Sequence, residues 1–219
     1  MFDRPLTRRA WLGGAAVSAL GLAGLKPEPA SATSVSCILT PEQTEGPYYI
    51  AGEKLRRNIT EGHPGTPLLL HAFVVDATTC RANPQAAVDI WHADAAGTYS
   101  GFGAGASSRT FMRGIQRTNA KGLAVFRTVY PGWYQGRTVH IHVKVHVGGS
   151  VVHTGQLYFR DSLTDAVYRH APYNTRPNRD TRNASDSIYR NGGSKSLLSV
   201  KKNSVGVYVA SIMMGVHRS

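Results

Sequence analysis

The sharpest local pattern in the chain is His140-Ile141-His142, inside a run at 137–147 that largely alternates polar with apolar side chains. Side chains alternate along a strand, so His140 and His142 share one face while Ile141, Val143, Val145 and Val147 take the other. Alternate residues lie roughly 7 Å apart at Cα, close enough for two imidazoles to converge on one metal ion. Copper, zinc and iron all accept imidazole, so the pair leaves the metal open, and a polar strand face turned to water would read the same way. His146 shares the face but lies about 13 Å beyond His142, too far for the same coordination shell. Tyr134 precedes the pair, just after Pro131-Gly132, a turn signal that can swing its ring back over the next strand. Tyr99 follows the apolar run at 87–91. A tyrosine taken singly is ordinarily core or surface, however, and the chain has ten of them.

The elements that must position these residues read as strands. Apolar runs of strand length recur at 68–75, 87–91, 123–129, 140–147, 151–159 and 205–214, separated by Gly, Pro, Asn and Ser clusters. The one helix candidate is short, residues 162–168, with Ser162 placed to cap it and Asp165 three positions on. This pattern predicts an all-β fold, an antiparallel β-sandwich with long functional loops and little helix. The sandwich is expected over 67–219, with residues 33–66 as an arm packed on it and 171–194 as a long loop region.

Several motifs together carry more than any alone. Ala87-Val88-Asp89-Ile90-Trp91-His92-Ala93-Asp94 is followed by Gly97-Thr98-Tyr99-Ser100, then Pro131-Gly132-Trp133-Tyr134, His140-Ile141-His142 and Gln156-Leu157-Tyr158-Phe159. In this order they resemble the intradiol ring-cleavage dioxygenases, and Thr44-Glu45-Gly46-Pro47-Tyr48-Tyr49 resembles the N-terminal turn of that family. The resemblance implies one Fe(III) per chain held by Tyr99, Tyr134, His140 and His142. Tyr134 would be the axial tyrosinate that leaves when substrate binds, with His140 opposite, and Tyr99 and His142 would be equatorial. It implies O2-dependent cleavage of a catechol-type ring to a cis,cis-muconate-type dicarboxylate. Arg137 would stabilise the anionic ring and Gln156 would lie near it, so Arg137, Tyr134 and Gln156 are the expected catalytic groups. His92 is expected to be structural or to lie at the cleft edge, and Trp133 to wall the pocket or pack in the core. Two other readings stay open: a copper or zinc protein built on the histidines, and a transthyretin-like sandwich that binds partners without catalysis.

Composition bounds the rest. The 219 residues are 42% hydrophobic and 17% charged, which fits a globular domain of ordinary core size. The net charge of +12 raises the question of nucleic acid. The basic residues are scattered, though, with no run interleaved with aromatics, so the expectation is no nucleic-acid partner and an attraction for small anions.

Residues 1–32 read as a leader and not as fold. Arg8-Arg9 precede a weakly apolar stretch at 11–25, and Ala30-Ser31-Ala32 offers small residues to a peptidase. The arginine pair resembles a Tat signal, and the apolar stretch is too short for a stable membrane span. The chain is therefore expected to engage the Tat machinery and to work in the periplasm or as a secreted protein. Removing the leader takes away Arg4, Arg8, Arg9 and Lys26 against Asp3 and Glu28, so the remainder stays strongly basic. Two cysteines follow the leader, Cys37 and Cys80. Neither has metal-motif spacing, and outside the cytoplasm a disulfide between them persists. It would staple the arm to the end of the first long strand. The sequence leaves the substrate and the oligomeric state open.

Overall fold

The computed structural model describes residues 37, 39–103 and 105–217. The expected leader lies outside them. Eight strands form two four-stranded sheets: β1 (Pro67–Asp76), β2 (Ala87–Trp91), β3 (Arg113–Arg117), β4 (Leu123–Val129), β5 (His140–Val147), β6 (Ser150–Tyr158), β7 (Ser199–Lys202) and β8 (Tyr208–Val216). One sheet runs β4-β1-β8-β7 and the other β3-β2-β5-β6. Period-two alternation sends Leu68, Leu70, Ala72 and Val74 of β1 inward, where they meet Ile90, Ile141, Val143, Val145 and Leu157 from the second sheet. Gly148 and Gly149, at φ of +60° and +91°, close the tight turn between β5 and β6.

The sandwich is the expected one, with local differences. β1 pairs with β8 in parallel, so the first sheet is mixed. The run at 205–214 is not one strand: β8 begins only at Tyr208, after a turn closed by hydrogen bonds to Asn203 from Val205 N and Val207 N. β3 and β7 are strands that apolar patterning does not reveal, because both are sheet edges with mostly polar sequences. The helix α1 spans Asp161–Val167, one residue earlier than expected, with Arg160 and not Ser162 at its N-cap and no side-chain cap bond. Asp161 instead pairs with Arg179. The region after it carries short 3-10 turns and a single-turn helix, α2 (Ser187–Arg190), capped by the Asp186 carboxylate at Ile188 N and Tyr189 N.

The N-terminal arm closes exposed sheet edges. Arg56 N bonds Ile115 O on β3, and Ile59 N bonds Arg127 O on β4, so one segment satisfies the free edges of both sheets. Cys37 and Cys80 are joined, with Cα atoms 5.4 Å apart across a separation of 43 residues. The bridge ties the arm beside the end of β1, as expected. Among the described residues, no helix is long and apolar enough to cross a membrane.

Candidate metal centre

β5 supplies the two imidazoles. In register, His142 lies opposite Trp91 on β2 and Gln156 on β6, and His140 lies opposite Tyr158. The Trp91 ring stacks on His142 at 4.9 Å with an interplanar angle of 3°. The two Nε2 atoms face each other at 3.0 Å, and Tyr134 Oη lies 3.2 Å from His140 Nε2. His140 Nδ1 sits 2.6 Å from Thr138 O. A carbonyl only accepts, so Nδ1 carries the proton and Nε2 presents a lone pair to the site. Gly46 allows the arm to pass over this point: at φ +70° it approaches His142 so closely that a Cβ would lie 3.3 Å from the imidazole Cε1.

The phenols come from two loops. Tyr99 ends a turn organised by Asp94, whose Oδ1 accepts Ala96 N and Thr98 N at 2.9 Å each. Tyr134 stands in the connection from β4 to β5. Their ring centroids are 5.5 Å apart. Tyr99 is buried, and its hydroxyl is without a hydrogen-bond partner. Tyr48 stacks on Tyr99 at 4.2 Å, with Phe102 edge-on to Tyr48 at 5.2 Å. These two rings form an aromatic wall, Tyr48 coming from the N-terminal turn motif.

Electrostatics agree with this geometry. Burial, followed by the Arg137 charge, pushes His140 down to about 3. Burial, followed by His140, also pushes His142 well below the ordinary imidazole value. Burial raises Tyr99 well above the ordinary phenol value, with the neighbouring Tyr134 adding to the effect. Burial also raises Tyr134, partly offset by Arg137. The unaided site therefore holds neutral imidazoles and neutral phenols at neutral pH, and its phenols ionise only against a strong compensating cation. Two imidazole nitrogens and two phenol oxygens, one of them buried without a partner, fit a hard, highly charged metal ion. Among the described residues, no group of three or more His, Cys, Asp or Glu is placed to hold a metal. Among the described residues, a metal at this point would meet the tyrosines and no third histidine or cysteine.

Arg137 lies beside the site on the loop leading into β5. Its Nε donates to Asp186 Oδ2 at 2.9 Å, and Nη2 donates to Gln156 Oε1. Gln156 returns Nε2 to Thr44 O at 2.9 Å. The expected catalytic pair is thus brought together, but Gln156 has both ends of its amide engaged and acts as a strut between Arg137 and the arm. Asp186 was invisible to sequence reasoning, since nothing local marks an aspartate in a long loop as the partner of Arg137. His92 is structural as expected, fixed between Ala93 O and Thr128 Oγ1 at 2.8 Å each. His146 lies past a register shift in β5, away from the centre. Trp133 is partly buried and donates Nε1 to Arg176 O at 3.0 Å.

Comparison with known proteins places these features in context. A family model described as Dioxygenase matches residues 44–178. The chain is 34% identical over 101 residues to catechol 1,2-dioxygenase 1 of Acinetobacter lwoffii, a stretch covering 43% of this chain and 32% of that protein. It is 30% identical over 148 residues to the chlorocatechol 1,2-dioxygenase of Cupriavidus pinatubonensis, covering 55% of this chain and 56% of that one. The chain thus spans only about a third to a half of the length of these relatives. The solved structure of an intradiol ring-cleavage dioxygenase from Tetranychus urticae superposes with a TM-score of 0.79 at 34% identity, covering 83% of this chain and 95% of that one.

Proposed function

The chain belongs to the intradiol ring-cleavage dioxygenase family, and from that premise we propose that it is an Fe(III)-dependent enzyme that cleaves a catechol-type ring between its hydroxyl-bearing carbons. The observation that carries this reading is the convergence of Tyr134 Oη, His140 Nε2 and His142 Nε2 beside the unpartnered hydroxyl of Tyr99. Tyr99, Tyr134, His140 and His142 would hold the ion. When bound, Fe(III) would supply the Lewis acidity and electron demand that make a chelated catecholate reactive towards O2.

The protein's own groups have separable tasks. Tyr134 is the more exposed of the two phenols, so, once ionised against the cation, its phenolate oxygen would be the one to accept a proton from an incoming catechol hydroxyl. Tyr99, buried behind Tyr48, stays in place. Arg137 keeps a fixed positive charge beside the site, held by Asp186 and Gln156, and would stabilise negative charge that develops on the ring. Tyr48 and Phe102 exclude water and present flat apolar surface to an aromatic ligand. The product would be a muconate-type dicarboxylate.

Export by the Tat route to the periplasm or beyond belongs to the same proposal. It is supported by Arg8-Arg9 with the apolar stretch that follows, and by the Cys37–Cys80 bridge, which suits an oxidising compartment. Oxygen uptake by iron-loaded protein on a panel of catechols tests the catalytic reading. Consumption stoichiometric with at least one catechol supports it, and no consumption with any of them overturns it.

A further inference from the structure

The two phenols do not sit on the β-sheet. Each hangs on its own loop, so something must fix the distance between the loops. Part of that is backbone: Gly132 N donates to Asp94 O at 2.9 Å, and a Cβ at Gly132 would collide with the carbonyls of Asp94 and Ala95. The rest comes from a third segment. Arg176 follows the 3-10 turn Tyr173–Thr175 and reaches between the loops. Its Nη1 donates to Ala96 O, three residues before Tyr99, and to Trp133 O, the carbonyl that precedes Tyr134, at 3.0 Å in the latter case. Its guanidinium carbon lies 4.6 Å from the centre of the Trp133 ring. Trp133 Nε1 in turn donates to Arg176 O at 3.0 Å. Gly97, at φ +81°, leaves the gap this guanidinium fills, since a Cβ there would strike both Arg176 Nη1 and Trp133 O.

We propose that Arg176 is a positioning residue for the metal centre: one guanidinium clamps the Tyr99 loop to the Tyr134 loop and so sets how firmly the two phenols hold a cation. The inference rests on the Fe(III) reading above. A planar cation that donates to two carbonyls while stacking on an indole uses properties that lysine lacks. Arg176 has no contact with the histidines, so its loss would loosen the tyrosine side of the centre and leave the β5 side in place. Groups one step removed from the metal typically change affinity by roughly 10- to 100-fold.

The test compares iron-loaded protein with Arg176→Ala and Arg176→Lys by chelator-driven iron release, the visible tyrosinate band and far-ultraviolet circular dichroism. The expected result is release faster by about 10-fold or more in both variants, a shifted or weakened band, and an unchanged sheet spectrum. Release and band equal to those of the parent in both variants would overturn the proposal. Loss of the sheet spectrum in both would overturn it too, by making Arg176 a residue of the fold as a whole. A parent that takes up iron without any tyrosinate band would instead overturn the Fe(III)–tyrosinate reading itself, an outcome seen before either variant is measured.

Discussion

Arg137 and Asp186, 49 residues apart in the chain, meet with Arg137 Nε 2.9 Å from Asp186 Oδ2, and the carboxylate of that pair is buried. The same carboxylate accepts Thr138 N at 2.8 Å and caps α2 at Ile188 N and Tyr189 N. One aspartate therefore ties the loop that enters β5 to the segment that follows the sandwich's helical turns. Arg137 Nη2 in turn donates to Gln156 Oε1.

This division of labour predicts that Arg137→Leu keeps iron and colour but lowers turnover by about 100-fold or more, as loss of a fixed charge contact to a reacting group does. Arg137→Lys should rescue poorly, because an ammonium cannot donate to Asp186 and Gln156 in the fork geometry of guanidinium. Steady-state kinetics beside an iron assay check this. Loss of iron in the Leu variant would make Arg137 a structural residue and not a catalytic one.

Asp186 carries a pH signature. Burial by itself raises its pKa, but hydrogen bonds from Tyr189 N and Thr138 N and the charge of Arg137 outweigh burial and hold the carboxyl below its ordinary value. A group depressed on folding contributes stability that is present above its unfolded pKa of about 4 and is lost as pH falls through the folded value. The protein should therefore lose stability on acidification below about pH 4, and Asp186→Asn should flatten that part of the profile. Chemical denaturation at several pH values reads it directly. An equally steep acid loss in the Asn variant would remove Asp186 from the account.

Tyr99→Phe separates stability from function. The Tyr99 hydroxyl is buried without a partner, and such a group costs on the order of 1–3 kcal/mol. Removing it should stabilise the metal-free protein while weakening iron retention and altering the visible band. Thermal melts of metal-free parent and variant, beside iron analysis of both, give the answer. A Phe variant that melts lower and binds iron normally would contradict the role assigned to Tyr99.

Exported protein should carry the Cys37–Cys80 bridge, and changing Arg8 and Arg9 together to Lys should keep the chain in the cytoplasm with that bridge largely unformed. Closing a loop with a separation of 43 residues corresponds to about 3–4 kcal/mol in the chain-entropy account, so reduction should lower the melting temperature without unfolding the protein at room temperature. Non-reducing peptide mapping of both fractions is the measurement. Free thiols in exported protein, or normal export of the double variant, would count against the compartment proposed here.

The sandwich was legible wherever one face of a strand is buried, because period-two alternation at 68–75 or 140–147 leaves a trace in the sequence. β3 and β7 left none: as polar edge strands they are defined by backbone pairing, β3 also with Leu55 of the arm. The chemistry divides the same way. His140 and His142 announce themselves by spacing on one strand, and the tyrosines only by their order in a family motif. Asp186 and Arg176 act through contacts made across long stretches of chain, with no local pattern to mark them. Their partners become visible only when the loops are packed.

Cleavage between the two hydroxyl-bearing carbons with incorporation of O2 is the central claim, and product analysis under 18O2 addresses it most directly. Iron-loaded protein turning over catechol should yield a muconate-type dicarboxylate whose initial mass carries one heavy atom in each new carboxyl group, apart from dilution by solvent exchange. A ring opened next to the diol, giving a semialdehyde, or an unlabelled product would contradict the assignment of this centre.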